Sequence, residues 1–248
     1  MPCDQLIFDE ARFAEDLEAG LDFVAKNDVF LAMGVKAVQP NTAYGYIQMG
    51  REEGNGLYAV KSFTEKTERE FAKMFMESGE FFWNTGIFLA NSHKLTSCFE
   101  EIFPSVLREL KFLNPTYTYE QELEYVKENY PRYPNLSIDY AILEHTKGVY
   151  VMKCDFGWAD LGTWHAIYEC MSKGDGDNVV IDSEVMMEDS HNNVIKLPKG
   201  KVGVINGLDG YIVAEEGNVL LICKKGDSSA MVRKYVNEVQ MKYGDEFV

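Results

Sequence analysis

Apolar positions along this chain switch between helical and strand periodicity, and the succession predicts an α/β fold up to about residue 173. Residues 9 to 26 repeat apolar side chains at helical spacing, and the apolar run from Val29 to Val35 then predicts a buried strand. Further strands are predicted at 46–49, 57–63, 81–83, 87–90 and 149–153, and further helices at 67–78, 104–112, 119–129 and from Ser92 and Ser137. The glycine-bearing segment 50–56 lies between strands and not before a helix, so it predicts a hairpin turn rather than a phosphate cradle.

Helix starts are predicted from the residues that precede each apolar run. The run Thr67-Glu68-Arg69-Glu70 fits a capping box, and the stop at Ser78-Gly79 fits a glycine C-cap. Ser92 and Ser137 are predicted to cap the helices that follow them.

The pattern changes after about residue 174 to short apolar runs that are separated by turn residues. Their even spacing predicts stacked β-rungs, followed by a final helix that begins at about Asp227. The glycines and charges of 173–177 suit a linker, so we predict two domains, 1–173 and 174–248.

Composition narrows the function. The 248 residues carry a formal charge of -16, which argues against nucleic acid or an anionic membrane surface as the main partner. The absence of a leader or a long apolar segment predicts a soluble, cytoplasmic protein. The five cysteines are scattered, so the sequence suggests neither a disulfide framework nor a structural zinc site.

The first candidate for a ligand-binding site is the loop Phe156-Gly157-Trp158-Ala159-Asp160-Leu161-Gly162-Thr163-Trp164. It follows a predicted strand and holds a carboxylate between glycines, at the strand end where α/β proteins bind ligands. Asp160 is either a ligand or a turn residue, and the tryptophans suit packing.

Four more loops carry polar residues: Pro2-Cys3-Asp4-Gln5, Tyr44-Gly45-Tyr46, Phe63-Thr64-Glu65-Lys66 and Trp83-Asn84-Thr85-Gly86. Each of these also has a plain structural explanation, as a strand end or a turn.

Taken together, these segments resemble the mannose-1-phosphate guanylyltransferase family of nucleotide-sugar pyrophosphorylases. The resemblance extends over essentially the whole chain. The matching runs are Pro2-Cys3-Asp4-Gln5, Ala43-Tyr44-Gly45-Tyr46-Ile47, Phe63-Thr64-Glu65-Lys66-Thr67, Trp83-Asn84-Thr85-Gly86, Ser137-Ile138-Asp139 and Gly157-Trp158-Ala159-Asp160-Leu161-Gly162-Thr163-Trp164. Cys3, Gln5 and Thr67 depart from the family's usual serine, histidine and proline.

The resemblance implies a Rossmann-like, GT-A-like nucleotidyltransferase domain followed by a small β-helix-like domain. The implied reaction joins mannose 1-phosphate and GTP into GDP-mannose and pyrophosphate, with Mg²⁺ or another divalent cation. It makes Asp4, Lys66 and Asp160 catalytic, with Asp4 and Asp160 as the metal ligands. It assigns substrate binding to Gly45, Tyr46, Glu65, Asn84 and Gly157.

The family's Gly-Gly-x-Gly-x-Arg-x-x-Pro loop has no match in these 248 residues. We therefore expect an N-terminally truncated domain with an open sheet edge and an incomplete GTP site, and no GTP turnover by this chain alone. Two alternatives stay open: a non-catalytic sugar-phosphate-binding or regulatory protein, and a pyrophosphorylase for another sugar or base. A homodimer through the sheet edge is also compatible with the sequence.

Overall fold

The computed structural model describes residues 1–65, 67–111, 116–172, 174, 176–226 and 228–247. The chain divides into two compact units. The first unit comprises Met1–Pro2 and Ile7–Trp158, and the second comprises Cys3–Leu6 and Ala159–Val248.

The first part of the chain alternates strands with helices. The elements are β1 (Gln5–Ile7), α1 (Glu10–Lys26), β2 (Phe30–Lys36), β3 (Gly45–Gly54), β4 (Leu57–Thr64), α2 (Arg69–Ser78), β5 (Phe81–Ala90), α3 (Ser92–Ile102), α4 (Pro104–Lys111), α5 (Tyr119–Asn129), β6 (Val149–Cys154) and β7 (Trp158–Asp160). A 3₁₀ turn covers Tyr130–Arg132 and a π-helical turn covers Asp139–Leu143. Strands β1 and β7 form a two-stranded sheet.

Five strands of the first unit form a closed, mixed sheet in the order β2-β5-β3-β4-β6. Strands β2 and β6 pair in parallel, and the other neighbours pair antiparallel. The sheet closes because the start of β4 pairs with β6, Leu57 opposite Met152. Within the described part of this sheet every strand therefore has two hydrogen-bonded neighbours, and the expected open edge was wrong.

The core of the first unit follows from the alternation of side chains along β2. Leu31, Met33 and Val35 face a cluster that includes Phe13, Leu17 and Val24 of α1. Ala32 faces the opposite way, into a cluster with Ile47, Phe82 and Val151. Helix α1 therefore covers one face of the sheet with the apolar stripe that its sequence predicts.

The described part of the second unit contains short strands, two α-helices and a 3₁₀ turn at Asp245–Phe247. Its elements after β7 are α6 (Trp164–Met171), β8 (Val179–Ile181), β9 (Glu184–Glu188), β10 (Val194–Lys196), β11 (Val202–Asn206), β12 (Tyr211–Glu216), β13 (Val219–Lys224) and α7 (Ser228–Tyr243). Strands β8, β10 and β12 stack in parallel, as do β9 and β11, and β12 and β13 form a hairpin. The predicted α/β class with a β-rung tail and a terminal helix is confirmed.

Buried amide contacts hold successive rungs together. The side chain of Asn193 is fully buried, and its Nδ2 donates to Oδ1 of Asn178 at 2.9 Å and to the carbonyl of Leu208 at 2.8 Å. Its Oδ1 accepts from the backbone N–H of Tyr211 at 2.8 Å. One side chain thus satisfies polar groups of three consecutive rungs in an otherwise apolar stack.

Several local predictions were wrong. Glu68, not Thr67, is the N-cap of α2 and makes no side-chain capping bond, so the capping box is absent there. Asn91, not Ser92, caps α3. The segment Asn84–Gly86 lies inside the continuous strand β5 and is not a loop. The hairpin predicted across 50–56 is confirmed, but its turn is shorter than expected because 50–54 belong to β3.

Other predictions were confirmed or fall outside the described residues. Gly79 caps α2 in a left-handed conformation. Oγ of Ser137 accepts from the N–H of Tyr140 at 3.2 Å, but the N-cap of the π-helical turn itself is Ile138. Asp227 and residues 173 and 175 of the expected linker lie outside the described residues, so the proposed 173/174 boundary stays a prediction. No helix in the described part of the chain is both long and apolar enough to cross a membrane.

Candidate functional site

The two predicted metal ligands meet in the second unit. Strand β7 ends at Asp160, whose Oδ1 accepts a 2.7 Å hydrogen bond from the N–H of Gly162. Asp4 is fixed to the same loop because its carbonyl accepts from the N–H of Leu161 at 2.8 Å. The sequence separates these acids widely, and the fold brings them together.

Gly162 marks the point at which the two carboxylates converge. A Cβ atom at this position would lie 2.9 Å from Oδ1 of Asp160 and 3.0 Å from Oδ2 of Asp4. A side chain at this position would push against both acids, so glycine leaves the space between them clear. Two carboxylates that approach one point repel each other unless a cation is shared between them.

The carboxylate pair would supply only part of a metal ion's coordination shell. Among the described residues, no group of three or more His, Cys, Asp or Glu side chains is placed to hold a metal ion. Hard carboxylate oxygens match Mg²⁺, which commonly takes one or two carboxylates and completes its shell with water and phosphate oxygens. Asp4 and Asp160 fit that pattern.

Three of the predicted substrate-binding residues come together in the first unit. Gly45 opens β3 and lies opposite Asn84 of β5, while Glu65 follows directly after β4. A Cβ atom on Gly45 would lie 3.1 Å from Oε2 of Glu65 and 3.7 Å from Nδ2 of Asn84. Strands β3, β4 and β5 are hydrogen-bonded neighbours, so their pairing alone creates this small polar cluster.

The amide of Asn84 is held by two protein partners. Its Oδ1 accepts from the N–H of Gly86 at 3.0 Å, and its Nδ2 donates to Oδ1 of Asp139 at 2.7 Å. Asp139 belongs to the Ser-Ile-Asp motif, but sequence reasoning gave it no role. The available sequence signal was the acid at the end of the Ser137-Ile138-Asp139 motif. The contact with Asn84 depends on the tertiary fold.

The side chain of Tyr46, a predicted substrate-binding residue, is held by protein partners. Its side chain is fully buried, and its hydroxyl donates to the carbonyl of Asn41 at 2.9 Å and accepts from the N–H of Asn41 at 3.1 Å. The residue also pairs with Thr64 on one side and Trp83 on the other. The hydroxyl therefore anchors the segment before β3, and a substrate contact at Tyr46 stays a prediction.

Gly157 has a clear structural reason to be glycine. Its φ is +63°, a left-handed conformation, and a Cβ atom would lie 3.0 Å from Cβ of Phe8. A substrate contact at Gly157 stays a prediction, as does the role of Lys66, which lies outside the described residues.

The aromatic residues near these motifs pack on one another. The ring of Tyr44 meets Trp83 and Trp158 edge-on, with centroids 5.1 and 5.0 Å apart. Trp83 is buried and immediately precedes Asn84 in β5. This packing is consistent with the prediction that the tryptophans hold the neighbouring polar residues in place rather than contact a ligand.

Fold and motifs together define an α/β nucleotidyltransferase. The chain belongs to the nucleotidyl transferase family, whose profile matches residues 4–175. Within it, similar proteins include mannose-1-phosphate guanylyltransferases. The enzyme of Salmonella muenchen is 27% identical over 249 residues, which cover 99% of this chain and 51% of that enzyme. RfbM of Salmonella typhimurium is 28% identical over 254 residues, which cover 100% of this chain and 51% of that enzyme.

A solved structure supports the same grouping. The crystal structure described as mannose-1-phosphate geranyltransferase from Thermus thermophilus matches with a TM-score of 0.78 and 28% identity, over 97% of this chain and 68% of that chain. The chain spans about half the length of the curated relatives it matches.

Proposed function

We propose that this chain provides the sugar-phosphate and metal side of a nucleotidyltransferase that forms GDP-mannose and pyrophosphate from mannose 1-phosphate and GTP. The observation that carries the proposal is the convergence of Asp4 and Asp160 on Gly162. The names of the relatives supply the sugar and the base.

The metal in this proposal is Mg²⁺, held by Asp4 and Asp160. When bound, Mg²⁺ neutralises the charge of phosphate groups and so favours attack on phosphorus. The acids themselves orient the cation, and Gly162 keeps the space between them clear of a side chain.

The sugar side rests on Gly45, Glu65 and Asn84. A carboxylate and an amide beside an open glycine suit the hydroxyls of a hexose, since the carboxylate accepts and the amide does both. Lys66 follows Glu65 directly in sequence and supplies a positive charge for the sugar phosphate. In this reaction the phosphate of the sugar attacks the α-phosphorus of GTP without a covalent enzyme intermediate, so the residues act by positioning and charge neutralisation.

The proposal is tested by titrating the chain with mannose 1-phosphate in a calorimeter, with and without Mg²⁺. We expect binding that requires the divalent cation and that weakens by about tenfold or more in Asp4→Asn and in Asp160→Asn. Asp155→Asn, which changes an exposed carboxylate nearby in sequence, is the matched control and should bind normally. Equal binding without Mg²⁺ and in all three variants would refute the proposed metal role.

The sugar side has its own arm of the experiment. Gly45→Ala places a methyl group 3.1 Å from Oε2 of Glu65 and should weaken binding about tenfold. Gly226→Ala, which meets no atom within 4 Å, is its control. Tighter binding of glucose 1-phosphate than of mannose 1-phosphate would favour another sugar. Sugar-phosphate binding without any response to GTP would favour the binding or regulatory alternative.

A further inference from the structure

The hydrogen bond between Asn84 and Asp139 joins residues 55 positions apart in the sequence. Asn84 lies in the middle of β5, and Asp139 opens the π-helical turn that precedes β6. At 2.7 Å the contact lies at the short end of the range for an N–H donor.

An asparagine amide can present its oxygen or its nitrogen to a ligand, and the two ends recognise opposite groups. Asp139 removes this ambiguity because an ionised carboxylate only accepts hydrogen bonds, so it selects the Nδ2 end of Asn84. The N–H of Gly86 only donates, so it selects the Oδ1 end. Each end of the amide then keeps one further hydrogen-bonding position in a fixed direction.

Asp139 is itself held in place by the turn that carries it. Its carbonyl accepts from the N–H of Glu144 at 2.9 Å, the spacing that defines a π-helical turn. Ala141, Ile142 and Leu143 of the same turn are buried in a cluster with Phe30 and Cys98. Such turns are rare, and they recur at functional sites because they redirect a side chain that a regular helix would place elsewhere.

We propose that Asp139 is a positioning residue that sets the orientation of the Asn84 amide for a sugar hydroxyl. This inference rests on the proposed function, since it assigns Asn84 to the sugar side of the site. It also explains why an acid stands in the Ser137-Ile138-Asp139 motif although it is not one of the converging metal acids.

A double-mutant cycle in the mannose 1-phosphate titration tests the proposal. Introduced alone, Asp139→Ala should weaken the binding of mannose 1-phosphate about tenfold. It should have no further effect in an Asn84→Ala background, because the positioned amide is then already gone. Asp139→Asn should bind within about threefold of the unchanged chain, since its side-chain oxygen can still accept from Asn84. Asp22→Ala removes an exposed acid on α1 and serves as the control.

A second measurement needs no ligand. The side-chain amide resonance of Asn84 in an NMR spectrum should shift in Asp139→Ala and stay near its original position in Asp139→Asn. An unchanged resonance in Asp139→Ala would overturn the inference. So would an equal loss of affinity from Asp139→Ala in both backgrounds, because that result means a direct ligand contact or a general loss of structure.

Failure of the proposed function gives a different result. If the unchanged chain binds no sugar phosphate, the proposed function fails and the positioning role fails with it. If the unchanged chain binds, Asn84→Ala weakens binding and Asp139→Ala does not, only the positioning role fails.

Discussion

Cys154 ends β6, the strand that leads into the loop with Asp160. Its side chain is 2% exposed, and its Sγ donates to the carbonyl of Met152 at 3.4 Å. Burial raises the pKa of the Cys154 thiol to about 12, and the negative charge of Asp16 on α1 contributes to the rise. The thiol is therefore protonated and unreactive at neutral pH and acts as a small apolar group at the strand end.

The raised pKa of Cys154 predicts a loss of stability at alkaline pH. Above its ordinary pKa of 9.0 the unfolded thiol ionises while the folded thiol stays protonated. The contribution of the buried thiol to the free energy of unfolding is therefore complete below pH 9 and is lost towards pH 12. Between about pH 8.5 and about pH 10.5 the free energy of unfolding should fall by roughly 2 kcal/mol more in the unchanged chain than in Cys154→Ala. Urea unfolding at the two pH values measures this.

Cys3→Ala provides the control, because Cys3 is exposed. Its pH dependence should match that of the unchanged chain. If Cys154→Ala also shows the same pH dependence as the unchanged chain, the buried thiol is not the group responsible.

At the scale of single elements, helix starts show where sequence patterns mislead. Thr67 and Ser92 are good capping residues. The N-caps of α2 and α3 are nevertheless the adjacent residues Glu68 and Asn91. Asn91 caps α3 because its Oδ1 accepts from the N–H of Lys94 at 2.7 Å, while its Nδ2 reaches the carbonyls of Val24 and Asn27 near the end of α1. The contact with α1 decides which of two adjacent capping residues is used.

Replacement of Asn91 by alanine should therefore destabilise the chain, whereas replacement of Ser92 should not. We expect Asn91→Ala to lower the free energy of unfolding by about 1–2 kcal/mol and Ser92→Ala to change it by less than about 0.5 kcal/mol. Chemical denaturation followed by circular dichroism compares the two. A larger loss in Ser92→Ala than in Asn91→Ala would contradict the assigned cap.

Strand β5 shows the same principle for the candidate site. The run Asn84-Thr85-Gly86 has turn-forming residues, but it is held in a strand between β2 and β3. The hydroxyl of Thr85 donates to the carbonyl of Met33 at 2.6 Å inside the sheet, where its residue is 1% exposed. The polar residues that suggested a loop are thus satisfied within the strand, and Asn84 is placed on a rigid support.

At the scale of the whole molecule, each unit has its own core. Apolar clusters around β2 and β5 stabilise the first unit, and the stacked rungs bury Val194, Ile195 and Ile212 in the second. The proposed sugar-side residues Gly45, Glu65 and Asn84 belong to the first unit, and the carboxylate pair belongs to the second. Closure of the five-stranded sheet also removes the edge on which a dimer was expected.

This division predicts two separate footprints in hydrogen–deuterium exchange. In the presence of Mg²⁺, mannose 1-phosphate should additionally slow exchange in peptides from the first unit that cover residues 41–50, 80–90 and 135–145. Mg²⁺ alone should slow exchange in peptides that cover residues 3–6 and 159–163. A peptide covering residues 230–243 of α7 is the internal control and should not respond. Protection by Mg²⁺ restricted to the first unit would refute the assignment of the metal to Asp4 and Asp160.

The sequence by itself determined the order of elements, the change to β-rungs after residue 174 and the family, because periodicity and short motifs are local properties. It also proposed Asp4, Asp160, Gly45, Glu65 and Asn84 as site residues. Tertiary structure decided which of these residues meet, the closure of the sheet through β4 and β6, the burial of Tyr46 and the contact between Asn84 and Asp139. Each of these depends on strand pairing or packing between residues far apart in the chain, which no local pattern records.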